Sequence, residues 1–247
     1  MNTDWVSRIT GGLLLLAVSG GVQASARDIK EADKLADDPT KVVTQLGASY
    51  TDEFKVSGSI GMGPVSKLNA SINKDGSEWR LGGSWLSDIG IFNFNFRKKQ
   101  FDHDAEQTSY SLGTFIPLSA FGFAPAGWQI FPMAGVSYND GDIACEVGTQ
   151  GCGSVDIDTG SEFVLMPNTS KGGYLGVFTL KPLSPKWTFI AFGTGSMGSN
   201  DYHGYFAGLG MGYKITKRQS ISTYAYASDN NYGNDQQLGI AYRYQLN

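Results

Sequence analysis

Histidine occurs only twice in the 247 residues, and so does cysteine, and neither is spaced to hold a metal. No Cys-x-x-Cys is present and no histidine lies near Cys145 or Cys152 to complete a zinc set, so the sequence calls for no metal and no other cofactor. A phosphate-cradling glycine loop and the sharp nucleophile turn of serine hydrolases are missing too, which leaves catalysis without a motif. Charged residues make up 17% of the chain and the formal net charge is −4, so there is no basic footprint for nucleic acid. Nowhere does an apolar run reach the roughly 20 residues that a membrane-spanning helix requires.

The longest apolar run is short and lies near the start, from Leu13 to Val18. It follows the basic Arg8 and precedes the small residues Ala24-Ser25-Ala26, so residues 1–26 read as a removable signal peptide. Residues 27–41 carry Ile29, Ala32, Leu35 and Ala36 at helical spacing and stop at Asp38-Pro39. They are expected to form a short periplasmic helix or solvated extension, with a plug inside the fold as the alternative.

From 42 to 247 one unit recurs: about ten residues of alternating apolar and polar side chains, closed by a turn rich in Gly, Asn, Asp or Pro. The last unit separates cleanly, with Leu238, Ile240, Tyr242, Tyr244 and Leu246 on one face and Gln237, Gly239, Ala241, Arg243 and Gln245 on the other. A period of two sustained in this way suits strands with lipid on one side and a polar lumen on the other. The fold class expected is all-β, a single antiparallel transmembrane β-barrel of about 12 strands, with 8 or 10 as alternatives. The strands fall near 42–50, 54–62, 65–74, 77–86, 90–98, 106–116, 128–138, 171–181, 187–196, 204–215, 220–228 and 236–246. On the lipid face, Trp85, Trp128, Trp187, Tyr213 and Tyr244 then sit near the inner ends, and Tyr50, Trp79, Tyr138, Tyr174 and Tyr205 near the outer ends. Two such girdles are what membrane interfaces select. A soluble β-sandwich or lipocalin-like barrel would instead turn its apolar residues inward.

With its leader, its twelve alternating segments and the ending from Leu238 to Leu246, the chain resembles small Gram-negative outer-membrane barrel proteins. Its end departs from their common terminal Phe, since Asn247 follows Leu246. The resemblance implies residence in the outer membrane, with lipid, lipopolysaccharide and the barrel insertion machinery as partners.

Function has to come from the lumen or the loops, because barrels host many activities. The inward face is expected to carry Lys55, Lys67, Arg80, Arg97, Lys181, Lys214 and Arg243 against Glu78, beside many Ser and Asn. Such basic side chains either line a narrow diffusion path for small polar or anionic solutes or serve as structural polar filling. The other reading is a non-conducting surface barrel that acts through its outer loops, adhesive or ligand-binding. In the longest of these, 139–170, Cys145 and Cys152 are expected to pair in an oxidising periplasm rather than remain free or bind metal. Asp102-His103-Asp104 and Asp201-Tyr202-His203 are similar to the paired carboxylates and Asp-His of omptin surface proteases; this is a remote alternative, and the chain is not expected to be an enzyme.

Overall fold

A computed structural model describes residues 34–146 and 163–246; the expected signal peptide and residues 147–162 of the longest expected outer loop lie outside the described residues. Twelve strands are present in it: β1 (Gln45–Tyr50), β2 (Phe54–Met62), β3 (Ser66–Asn73), β4 (Glu78–Leu86), β5 (Ile91–Gln100), β6 (Glu106–Phe115), β7 (Gln129–Glu146), β8 (Phe163–Pro182), β9 (Trp187–Gly198), β10 (His203–Lys214), β11 (Gln219–Asn230) and β12 (Gly233–Gln245). Each pairs antiparallel with the next and β12 pairs with β1, so the sheet closes and no strand edge is left to template aggregation. No helix among the described residues is long and apolar enough to cross a membrane. The short helix expected before the barrel falls largely on residues outside the described ones, and the part that is described, 34–41, forms turns.

Turn chemistry fixes the hairpins. Between β3 and β4, Gly76 takes φ +80°, which a side chain would resist, and its amide reaches the Asn73 carbonyl at 3.1 Å. Beside it the Ser77 amide donates to the Asp75 carboxylate at 2.9 Å and holds that carboxyl below its ordinary range. The turns at the end shared with the chain termini are short except 116–128, a segment built from two one-turn 3₁₀ helices.

At the opposite end β7 and β8 run on past their neighbours. Residues 139–170 were expected to form one polar loop, whereas Asn139–Glu146 pairs with Phe163–Ser170 to extend the hairpin. Beyond the rim the outward face of the hairpin no longer meets lipid, so polar side chains such as Asp140 and Asp142 no longer argue against a strand.

The exterior is apolar around the whole circumference. Leu46, Ile60, Leu112, Val136, Leu209 and Ile240 are all exposed, and Leu175 and Leu238 are exposed to 72% and 77%. A water-soluble fold of this size does not leave such a belt uncovered. Aromatic pairs mark its two borders: Trp187 with Tyr213 at the inner end, Tyr110 with Tyr138 at the outer.

One strand departs from expectation. In β8 Gly135 pairs with Tyr174 and Gln129 with Leu180, which turns Tyr174, Phe178 and Leu180 inward and Lys181 outward. Tyr174 therefore leaves the outer girdle for the lumen, and Lys181 leaves the lumen for the outer wall, where it bonds the Ala126 carbonyl and ties down the 116–128 segment. The reason is local: the wall opposite is aromatic, so β8 carries apolar residues on both faces, and without contrast the register is unreadable by one residue.

Gly208, which faces the lumen, has no room for a side chain. A Cβ there would stand 2.5 Å from the Phe192 ring and 2.6 Å from the Ala225 carbonyl oxygen, so Gly208→Ser is not mild.

Candidate functional site: the lumen and its two mouths

Toward the outer mouth, Glu78 opens β4 and sits between the Lys55 ammonium of β2 and the Arg97 guanidinium of β5, each at 3.0 Å. The Glu78 side chain is only 13% exposed, so these are screened less than surface pairs. Lys99 of β5 pairs with Asp235 of β12. Since β1 to β4 lie between those two strands along the wall, this pair crosses the lumen. The Tyr226 hydroxyl donates to the same carboxylate at 3.1 Å. One layer further in, the Arg80 guanidinium donates to the Asn95 side-chain oxygen. Four cations thus face two carboxylates within one constricted zone.

The rest of the circumference is lined differently. Phe192 stacks on Phe206 at 4.8 Å between centroids, Phe206 meets Tyr226 at 5.4 Å, and Phe131 packs on Phe178 at 6.0 Å, all on inward-facing positions of β7 to β11. Charge in the outer zone is gathered on β2 to β5 and at Asp235 of β12, and aromatic bulk on β7 to β11. The bulk narrows the lumen and lowers the local dielectric, which strengthens the field of the charged wall.

At the inner mouth the chain folds back on its own lumen. Residues 34–41 make two turns, closed by the Asp38 amide on the Leu35 carbonyl at 3.2 Å and the Lys41 amide on the Asp38 carbonyl at 3.0 Å. Inward-facing residues hold this segment. Lys67 donates to the Lys41 carbonyl at 2.8 Å, Ser59 to that of Val43 at 2.8 Å, and Arg243 pairs with the Asp37 carboxylate. Opposite lies Gly212, where a Cβ would come within 2.5 Å of an Asp37 oxygen; glycine is what gives the carboxylate room.

Of the candidate lumen residues, Lys55, Glu78, Arg80 and Arg97 are gathered in the outer zone, while Arg243 and Lys214 stand apart at the inner mouth. Lys99, Asp235 and Asp37 were missed in the sequence. The first two share the parity of Arg97 and Gln237 and would have been found had their strands been extended by a turn's width. Asp37 carries no such signal.

Above the outer rim, the His103 ring stacks on Phe163 at 3.8 Å, and the His203 Nδ1 meets the Asp201 backbone carbonyl at 2.9 Å rather than a carboxylate. The Asp-His dyad expected of the protease alternative is not formed by these contacts. Tyr232, which donates to the Asn168 carbonyl at 2.8 Å, ties the β11–β12 turn to the long hairpin, and burial pushes its phenol up to about 12. Cys145 is buried near the end of β7, while Cys152 lies outside the described residues, and so does the expected pairing. Among the described residues no group of three or more His, Cys, Asp or Glu could hold a metal ion.

No family model matches this chain and no curated protein does. The solved structures it is similar to are outer-membrane β-barrels. The translocator domain of the autotransporter NalP from Neisseria meningitidis is 12% identical over 82% of this chain and 86% of that one, with a TM-score of 0.47. The NanC porin is 9% identical over 83% and 99%, at 0.46. A KdgM porin, solved in complex with disordered oligogalacturonate, is 10% identical over 83% and 100%, at 0.42.

Proposed function

We propose that this barrel spans the outer membrane of a Gram-negative bacterium and passes small polar solutes with a preference for anions. The observation that carries the reading is the constricted zone in which Lys55, Arg80, Arg97 and Lys99 face Glu78 and Asp235. A net positive ring in a narrow aqueous path concentrates anions at its mouths and repels cations. The apolar exterior supports the location, since lipid is the solvent that such a belt suits, and the polar lumen supports a path for water rather than a packed core.

Planar-bilayer recordings of the refolded protein test it. Small channels are expected, with reversal potentials shifted toward chloride and a shift that shrinks as salt screens the charges. Arg80→Gln with Arg97→Gln should weaken that preference several-fold and leave the fold in place, because lumen positions tune selectivity more than stability. Silence from verified folded barrels, or a preference that both substitutions leave unchanged, ends the channel reading.

A second reading, action through the outer surface, draws on the β7–β8 hairpin that stands above its neighbours. On either reading Cys145 is proposed to pair with Cys152, closing an eight-residue ring worth very roughly 2 to 3 kcal/mol to the loop. Thiol blocking followed by mass spectrometry should find neither sulfur alkylated until reductant is added; alkylation without reductant contradicts the pairing. Removing both cysteines should leave insertion intact.

A further inference from the structure

In a closed barrel of twelve strands each strand faces the one six places on, so β4 stands opposite β10 and β5 opposite β11. That sets the two linings of the outer zone against each other, with Arg80 and Arg97 across from Phe206 and Tyr226. Their depths match. Counted from the outer end, Arg80 is the third residue of β4 and Phe206 the fourth of β10. Asp235 joins the two linings, since it pairs with Lys99 and accepts from Tyr226 at 3.1 Å. Arg80 and Phe206 both point inward, yet both are exposed, Phe206 to 41%, so the lumen admits water to them. The exposed rings of the outer wall have lipid to cover them, whereas this one has only water, which an apolar surface gains by shedding. Its plane is set by its neighbours: it stacks on Phe192 at 4.8 Å, and Phe192 lies against Gly208, where a Cβ would come within 2.5 Å of the ring. Arg80 donates to the neutral Asn95 oxygen and, among the described residues, pairs with no carboxylate. Glu78, two residues before it, is shared by Lys55 and Arg97.

We infer that the outer zone binds a small aromatic carboxylate, with the anionic group on the Arg80 guanidinium and the ring against Phe206. A guanidinium is a planar fork that meets a carboxylate in two parallel bonds. A ring laid on another whose orientation is already fixed gains apolar burial and an offset or edge contact together. An anion without a ring satisfies only the first wall, and a neutral arene only the second. The inference deepens the channel reading by naming the solute class, and it rests on that reading only for the claim that the bound solute is one in transit. Binding itself requires no conduction.

The test is equilibrium titration of the full mature protein, folded in lipid nanodiscs and corrected for empty ones, with benzoate, benzamide, acetate and glucuronate as probes. Benzamide keeps the ring and shape of benzoate without its charge, and acetate keeps the charge without the ring, so benzoate should bind about tenfold tighter than either. This comparison uses the unaltered barrel and stays decisive if a variant fails to fold. Phe206→Leu should weaken benzoate by about fivefold and leave acetate as it was. Arg80→Gln should weaken both anions, by about tenfold. Phe94→Leu removes a ring from the lipid face of β5 and should change neither. Benzamide or acetate binding as tightly as benzoate overturns the inference, as does a benzoate affinity that Phe206→Leu leaves unchanged or that Phe94→Leu lowers equally. Glucuronate binding more tightly than benzoate assigns the zone to sugar acids and overturns it too. Because no current is measured, a barrel that binds benzoate but is silent in bilayers sinks the channel reading alone, and one that conducts chloride without preferring benzoate to acetate sinks only this one.

Discussion

Leu209→Arg should destabilise the barrel by roughly 2 to 4 kcal/mol, the cost of a guanidinium near the midplane of a bilayer. Leu209 lies near the middle of β10, points outward and is 56% exposed, so in water its replacement by arginine would be nearly free. The effect therefore reports the surrounding solvent and not the protein's own packing. Unfolding in urea from lipid vesicles, followed by the gel shift between folded and heated protein, measures it. Ser109→Gln, on an inward-facing and half-buried position of β6, provides the comparison and should cost far less. Equal tolerance of both substitutions would mean that no lipid covers the belt.

Gly135→Val should be about as damaging, at ~3 kcal/mol, for a different reason. A Cβ on Gly135 would lie 2.5 Å from the Leu112 carbonyl oxygen and 2.6 Å from two ring carbons of Tyr174. The ring could swing away, but the carbonyl belongs to the β6–β7 ladder and moves only if that ladder opens. Tyr174 lies flat over this glycine and over Gly113, a ring covering backbone that has no side chain of its own. Gly195→Val, on the outer face with nothing within 4 Å, is the control and should be neutral within about 0.5 kcal/mol. A loss of the same size at both positions would mean that strand propensity, not the contact with Leu112 and Tyr174, sets the cost.

Strand number and most of the register were legible in the residues because lipid and lumen impose opposite demands on alternate positions. Legibility failed wherever one of those demands lapsed. In β8 the lumen side is aromatic, so Phe178 and Leu180 look like outward residues and the strand reads one step out of phase. Beyond the rim, lipid no longer disciplines Asn139 to Glu146, and a paired hairpin passes for a loop. Lys99 and Asp235 were lost to the same ambiguity at strand ends, and with them the ion pair that spans the lumen. The inner mouth was legible only in part. Arg243 could be placed by parity, but its partner lies in a segment of no periodicity, and a pair so distant in the chain leaves no local trace.

The pairing of β1 with β12 has a consequence for how the molecule forms. Every other neighbour relation in the sheet joins consecutive strands through a single connection, whereas this one brings Gln45 to Gln245 and Tyr50 to Ile240. The hairpins accumulate in chain order at little entropic cost, and one long-range encounter remains, made along the six residues of β1, the shortest strand of the twelve. By contact order that encounter is the expected slow step of folding, to be checked by the folding rate of a variant weakened only in the β1–β12 register. Until it occurs the chain exposes two unsatisfied edges, and the nascent barrel depends for that interval on whatever shields them.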